Sequence, residues 1–135
     1  MKRMMWVGLY LLLVACTGGN ETGPLESRQQ SAVEQAARAG DLKAIKRLIA
    51  HFDALPNEQA AAERWRERAR ALGDAQELYF QAARRFVAAE VEVNDEARYR
   101  LLLEAHHAAQ RAQASHPERS TELLEQQIAR TLEAQ

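Results

Sequence analysis

The sequence predicts an all-α fold: an antiparallel helix-pair stack of about six helices, preceded by a segment of different character. Three observations carry this. Ala, Gln, Glu, Arg and Leu dominate the chain, with 27% charged residues, only 6% aromatic residues and three prolines. Such side chains lose little rotamer freedom in a helix, whereas the scarcity of β-branched residues gives a sheet little support. Apolar residues then recur at i, i+4 and i+8, which gathers them into one stripe per helix. Finally, two Gly-Asp pairs, Gly40-Asp41 and Gly73-Asp74, stand 33 residues apart, the period of a helix-pair repeat.

The chain opens on "MKRMMWVGLYLLLVAC". Two positive charges, Lys2 and Arg3, precede an apolar run over residues 4–15. That run is too short for a membrane-spanning helix, which needs about 17–25 residues. It fits the hydrophobic region of a secretory signal with the small residue Ala15 at its end. Residues 1–15 are therefore expected to be a signal peptide. The single cysteine, Cys16, cannot form an internal disulfide, and in an exported chain it is either paired elsewhere or chemically used. Residues 16–25, rich in Gly, Thr and Asn with one Pro, read as a flexible tether reaching roughly 30 Å when extended.

Leu13-Val14-Ala15-Cys16 resembles the lipobox of bacterial lipoproteins. The resemblance implies cleavage after Ala15, lipidation of Cys16 and a membrane anchor of several acyl chains, which hold far better than one. Thr17 stands where an aspartate would imply inner-membrane retention, so the resemblance points to the outer membrane, facing the periplasm. Loss of Lys2 and Arg3 with the leader takes the net charge from −1 to −3. No basic excess remains to attract phosphates, which argues against a nucleic-acid partner.

The helices follow in order over residues 26–135. The first runs over about residues 26–39 and stops at Gly40. Asp41 caps the second, which reaches about residue 53. Pro56-Asn57 opens the third, ending near residue 72 before Gly73. Asp74 caps the fourth, which reaches about residue 93. Asn94-Asp95 is a break and a new cap, and the fifth helix runs to about residue 114. Ser115-His116-Pro117-Glu118 combines a Ser-x-x-Glu capping box with an early proline, which places the start of the sixth there. The stripes use Ala32 and Ala36 on the first helix, Ala44, Leu48 and Phe52 on the second, and Trp65 and Ala69 on the third. Leu78, Ala82 and Phe86 follow on the fourth. Leu101, Ala105, Ala108 and Ala112 mark the fifth, and Leu124, Ile128 and Leu132 the sixth.

Ala62-x-x-Trp65-x-x-x-Ala69-x-x-x-Gly73-Asp74 resembles SEL-type repeats, relatives of tetratricopeptide repeats. The resemblance covers about residues 31–93. It departs from the family pattern in lacking a Gly-rich loop between repeats, in a one-residue shift after the second Gly-Asp turn, and in the absence of such a turn from residues 95–135. Those last residues are expected to form a divergent pair closing the stack. The resemblance implies a protein-binding surface. Narrower roles it leaves open are an immunity lipoprotein neutralising a periplasmic toxin and a pilotin-like accessory of an envelope or secretion assembly. A structural envelope lipoprotein without a specific partner is a further alternative.

Chemistry is sparse. His106 and His107 are adjacent, so on a helix they point about 100° apart, which does not suit two ligands of one metal. No serine sits in a Gly-flanked elbow and no Gly-rich loop could hold phosphate. No catalytic residue, metal site, cofactor or small-molecule substrate is expected. Glu63–Arg66 and Glu67–Arg70 are read as i, i+3 pairs on a solvated face. Tyr79 and Phe80 are neighbours and cannot both face one core, so one of them is exposed or lines a groove. With Arg84 and Arg85 they are the candidate partner-binding residues.

Overall fold

The structure, a computed structural model, describes residues 23–135. Ala15, Cys16 and the first part of the expected tether lie outside the described residues. Six helices follow one another: α1 (Ser27–Arg38), α2 (Leu42–Asp53), α3 (Gln59–Ala71), α4 (Ala75–Val91), α5 (Asp95–Ser115) and α6 (Arg119–Glu133). The described residues are all-helical apart from turns and caps, and they form the expected helical stack.

The two Gly-Asp turns share one geometry. Gly40 has φ +94° and Gly73 φ +83°, a left-handed conformation that costs an L side chain about 1–2 kcal/mol. The amide of Gly40 donates to the carbonyl of Ala37 at 3.0 Å and that of Asp41 to Ala36 at 3.1 Å. Gly73 to Arg70 and Asp74 to Ala69 repeat the pattern at 3.0 Å each. These paired bonds close the helix end and satisfy its last carbonyls. Each aspartate then caps the next helix. Asp41 accepts from the amides of Lys43 and Ala44, and Asp74 accepts from that of Glu77. Asn94 caps α5 the same way, accepting from Ala97 at 2.8 Å.

Helix six departs from expectation. Ser115 does not cap it but is the last residue of α5, and Glu118 occupies the N-cap position without a side-chain bond. Pro117 is the reason. A proline disfavours the helical region for the residue before it, and His116 is accordingly extended, with φ −149° and ψ 100°. The restart is pushed to Arg119. Helix three also starts later than expected, at Gln59, because Asn57 takes a left-handed φ of 64° and prolongs the turn. On α1 the inward strip is Val33, Ala36 and Ala37, an i, i+3, i+4 set. Ala37 is fully buried, whereas Ala32 faces solvent.

Packing divides the stack into two cores. Ala37, Ile45, Leu48, Ile49 and Ala69 centre the first, formed by α1, α2 and α3, with Trp65 and Phe52 against it. Ala82, Phe86, Leu102, Ala105 and Ile128 centre the second, formed by α4, α5 and α6. Alanines on α4 and α5 let these two helices pack along more of their length than any other pair. By contrast, α3 touches α4 more lightly than any other consecutive pair. The side of α3 facing α4 carries Glu63, Arg66 and Arg70, so no apolar strip draws the two together.

Gly23 to Leu25, expected as the end of the tether, lie against α2. Arg47 Nη1 donates to the carbonyl of Gly23 at 2.7 Å. The amide of Leu25 donates to His51 Nδ1 at 2.8 Å. Leu25 packs on the first core, and His51 is buried.

Candidate functional site

The sides of α3 and α4 that face each other form a polar seam between the two cores. Arg66 bridges Asp53 at the end of α2 and Glu63, the latter at 3.7 Å. Arg70 Nη2 donates to Glu63 Oε1 at 2.6 Å. This replaces the expected Glu67–Arg70 pair: residues seven apart lie on the same face two turns away, and Glu63 shares the sheltered side with Arg70. Only 9% of Arg70 is exposed, so this part of α3 is not a solvated face. Further along, Lys46 of α2 reaches Asp74 at 3.2 Å and Gln76 at 2.9 Å.

The carboxylates of the seam are displaced in opposite directions. Burial pushes the Glu77 carboxyl above its ordinary value, and the Asp74 carboxylate adds to this, while Arg66, Arg70 and Arg84 offset it only in part. Glu63 is also partly desolvated. Its hydrogen bond from Arg70 and the charges of Arg70, Arg84 and Arg66 together outweigh that burial and hold it below its ordinary value. Two buried atoms of the seam, Arg70 Nη1 and Glu77 Oε2, lack a hydrogen-bond partner.

The far end of the seam is closed by α5. Ser115 donates its hydroxyl to the carbonyl of Gly73, and Arg111 Nη2 donates to the carbonyl of Arg70 at 2.9 Å. Both satisfy carbonyls at the C-terminal end of α3, where a cation is favoured.

Tyr79 and Phe80 stand in a groove of about 740 Å³ that runs across the start of α2, the first turns of α4 and the start of α6. Their rings meet edge-on, with centroids 5.9 Å apart. Tyr79 is half-buried, whereas Phe80 is 44% exposed. The sequence-based expectation that one of the pair would be exposed or line a groove holds, and both line it. Leu42, Lys46 and Thr121 are among the other residues of its wall. Arg84 and Arg85 do not join them. They face a separate slot of about 260 Å³ between α3 and α4. The four candidate binding residues thus serve two concavities, with Phe80 and Arg84 one helical turn apart on α4.

Of the histidines that face a carboxylate, His106 is apart from both concavities, whereas His116 lines the groove of Tyr79 and Phe80. His106 Nε2 lies 3.9 Å from Glu125 and His116 Nε2 lies 3.6 Å from Glu118. No group of three metal-ligating side chains occurs among the described residues. None of the described helices is long and apolar enough to cross a membrane.

Arg70, Glu63 and Lys46 were not marked as site residues by sequence reasoning. The i, i+7 spacing of Glu63 and Arg70 was the available signal for the first two. Nothing in the sequence brings Lys46 to Asp74. Comparison of the chain with known protein families, with curated proteins and with solved structures finds no match.

Proposed function

We propose that the protein is a lipid-anchored, periplasm-facing helical-repeat lipoprotein that binds another protein through the groove across α2, α4 and α6. The observation that carries the binding reading is the exposed ring of Phe80 beside Tyr79 on a helix held rigidly by the second core. A large aromatic on a rigid element loses little entropy on docking, and such residues dominate interface energetics. Helical stacks present extended surfaces of this kind.

The anchoring reading rests on the residues of the lipobox. The attachment of Gly23 and Leu25 to α2 supports a short working tether. Seven steps of extended chain from Cys16 to Gly23 reach about 25 Å at most. The groove would be held close to the membrane surface rather than free to sweep through the periplasm.

The binding reading is tested by affinity capture from detergent-solubilised envelope with the wild type and with Phe80→Asp. The expected result is a stoichiometric partner held by the wild type and lost with the variant. A partner retained undiminished by Phe80→Asp, or no reproducible partner at all, would overturn it. An adjacent charge at the centre of an apolar contact costs on the order of 2 kcal/mol or more, enough for about a thirtyfold loss of affinity.

A further inference from the structure

The slot between α3 and α4 is built as an acceptor for a negative charge. Gln81, Arg84, Arg85 and Ala88 line it from one side. They occupy i, i+3, i+4 and i+7, a single strip of α4. Glu63 and Arg70, also seven apart, line it from α3. Three arginines and a single carboxylate residue therefore line one concavity.

The counter-charges within reach are Glu63, Glu77 and Glu104, and they engage the three cations unequally. Glu63 is shared, with Arg70 at 2.6 Å and Arg66 at 3.7 Å. Arg85 pairs with Glu104 at 3.2 Å across the α4–α5 contact, at a position where both side chains are about half exposed. Arg84 makes no ion pair among the described residues. Arg70 is nine-tenths buried, and its Nη1 has no hydrogen-bond partner. A buried donor left unpaired costs about 1–3 kcal/mol, more when it is charged. This orphaned Nη1 is closed off from solvent, so the cations of the slot that a ligand can reach are those of the exposed Arg84 and Arg85.

We propose that this slot receives the carboxylate of an aspartate or glutamate side chain from the partner protein. The inference rests on the protein-binding reading and names the chemistry that the partner presents beside the Phe80 contact. The guanidinium fork matches a planar carboxylate and can hold it by two parallel hydrogen bonds. The volume favours a side chain over a free small molecule, whose sites run about 300–1,000 Å³. Phe80 and Arg84 share one face of α4 at i, i+4. One partner segment can therefore place an apolar group on the first and an acidic group on the second. Glu63 competes for the same cations, so it limits how strongly the slot attracts its ligand.

The test uses the intact protein in detergent micelles and a blocked peptide containing three consecutive glutamates, against the same peptide with glutamines. Binding is followed by the arginine Nε–H signals in NMR and by titration calorimetry. The glutamate peptide is expected to shift the signals of Arg84 and Arg85, and the glutamine peptide to leave them in place. Arg84→Gln is expected to weaken binding about tenfold, and Glu63→Gln to strengthen it several-fold. Arg100→Gln, on the outer face of α5, is expected to change little. Equal binding of both peptides, an Arg84→Gln effect no larger than that of Arg100→Gln, or weakening by Glu63→Gln would overturn the proposal. Arg84 is exposed, so its replacement is not expected to unfold the protein, and melting curves check this. A partner captured through Phe80 without carboxylate binding would sink the slot alone. The absence of any captured partner would sink the wider reading.

Discussion

Gly40 and Gly73 each hold a backbone conformation that alanine adopts only with strain, yet neither is sterically crowded. A Cβ on Gly40 would meet nothing within 4 Å, and one on Gly73 would touch only Ser115 Oγ at 3.8 Å. The cost of Gly→Ala at either site is therefore that of φ alone. Each substitution is expected to destabilise by about 1–2 kcal/mol in urea denaturation, and similar values at the two sites would confirm their shared geometry. The carboxylates give a second residue-scale prediction. Glu77 has its folded value raised, so its ionised form penalises the folded state, and the penalty is relieved as pH falls through that raised value. Glu63 has its folded value depressed, so its contribution is present above the ordinary glutamate value and lost as pH falls through the depressed one. Melting temperature should thus rise slightly on mild acidification and fall on further acidification. Glu77→Gln should abolish the first change, and Glu63→Gln should reduce the second. At this scale the caps were legible, because Asp41, Asp74 and Asn94 act on amides within three residues. Ser115 was misread because Pro117 overrides the capping pattern locally. The role of His51 could not be read, since its partner Leu25 lies 26 residues away.

At the scale of elements, the apolar stripes were legible wherever a helix buries one face against one neighbour. Leu78, Ala82 and Phe86 are all buried, as the stripe on α4 requires. Leu78→Ala, at a fully buried position, is expected to cost about 2–5 kcal/mol, measured by chemical denaturation. The light contact between α3 and α4 was not legible. Sequence shows that Glu63, Arg66 and Arg70 are charged and co-facial, but not that α4 brings Glu77, Gln81 and Arg84 against them. The attachment of the N-terminal segment was hidden for the same reason. A run of Gly, Thr and Pro has no local reason to dock, and Arg47 and His51 supply the partners from α2. His51→Ala removes a buried acceptor and is expected to cost about 1–3 kcal/mol. It should also make the chain around residues 23–26 more sensitive to protease. Unchanged proteolysis there would contradict the clamp.

At the scale of the molecule, two tight turns with one geometry set the direction of the chain, and the stack follows from them. Its candidate binding surfaces do not follow from any one element. The groove holding Tyr79 and Phe80 draws on α2, α4 and α6, and the arginine slot on α3 and α4. The aromatic pair was recognisable as a candidate because exposure of one neighbour is forced by helical geometry, and Arg84-Arg85 because they extend the positive character of the helical face. Their division between two concavities depended on how the cores meet. Both surfaces would gain meaning from the proposed confinement at a membrane, so the proposed anchor at Cys16 is the central claim. Mass spectrometry of the N-terminal peptide from the isolated envelope fraction tests it most directly. The expected species begins at Cys16 and carries a diacylglyceryl thioether, with or without an acylated amino terminus. A chain that retains Met1, or that carries an unmodified Cys16 thiol, would contradict it.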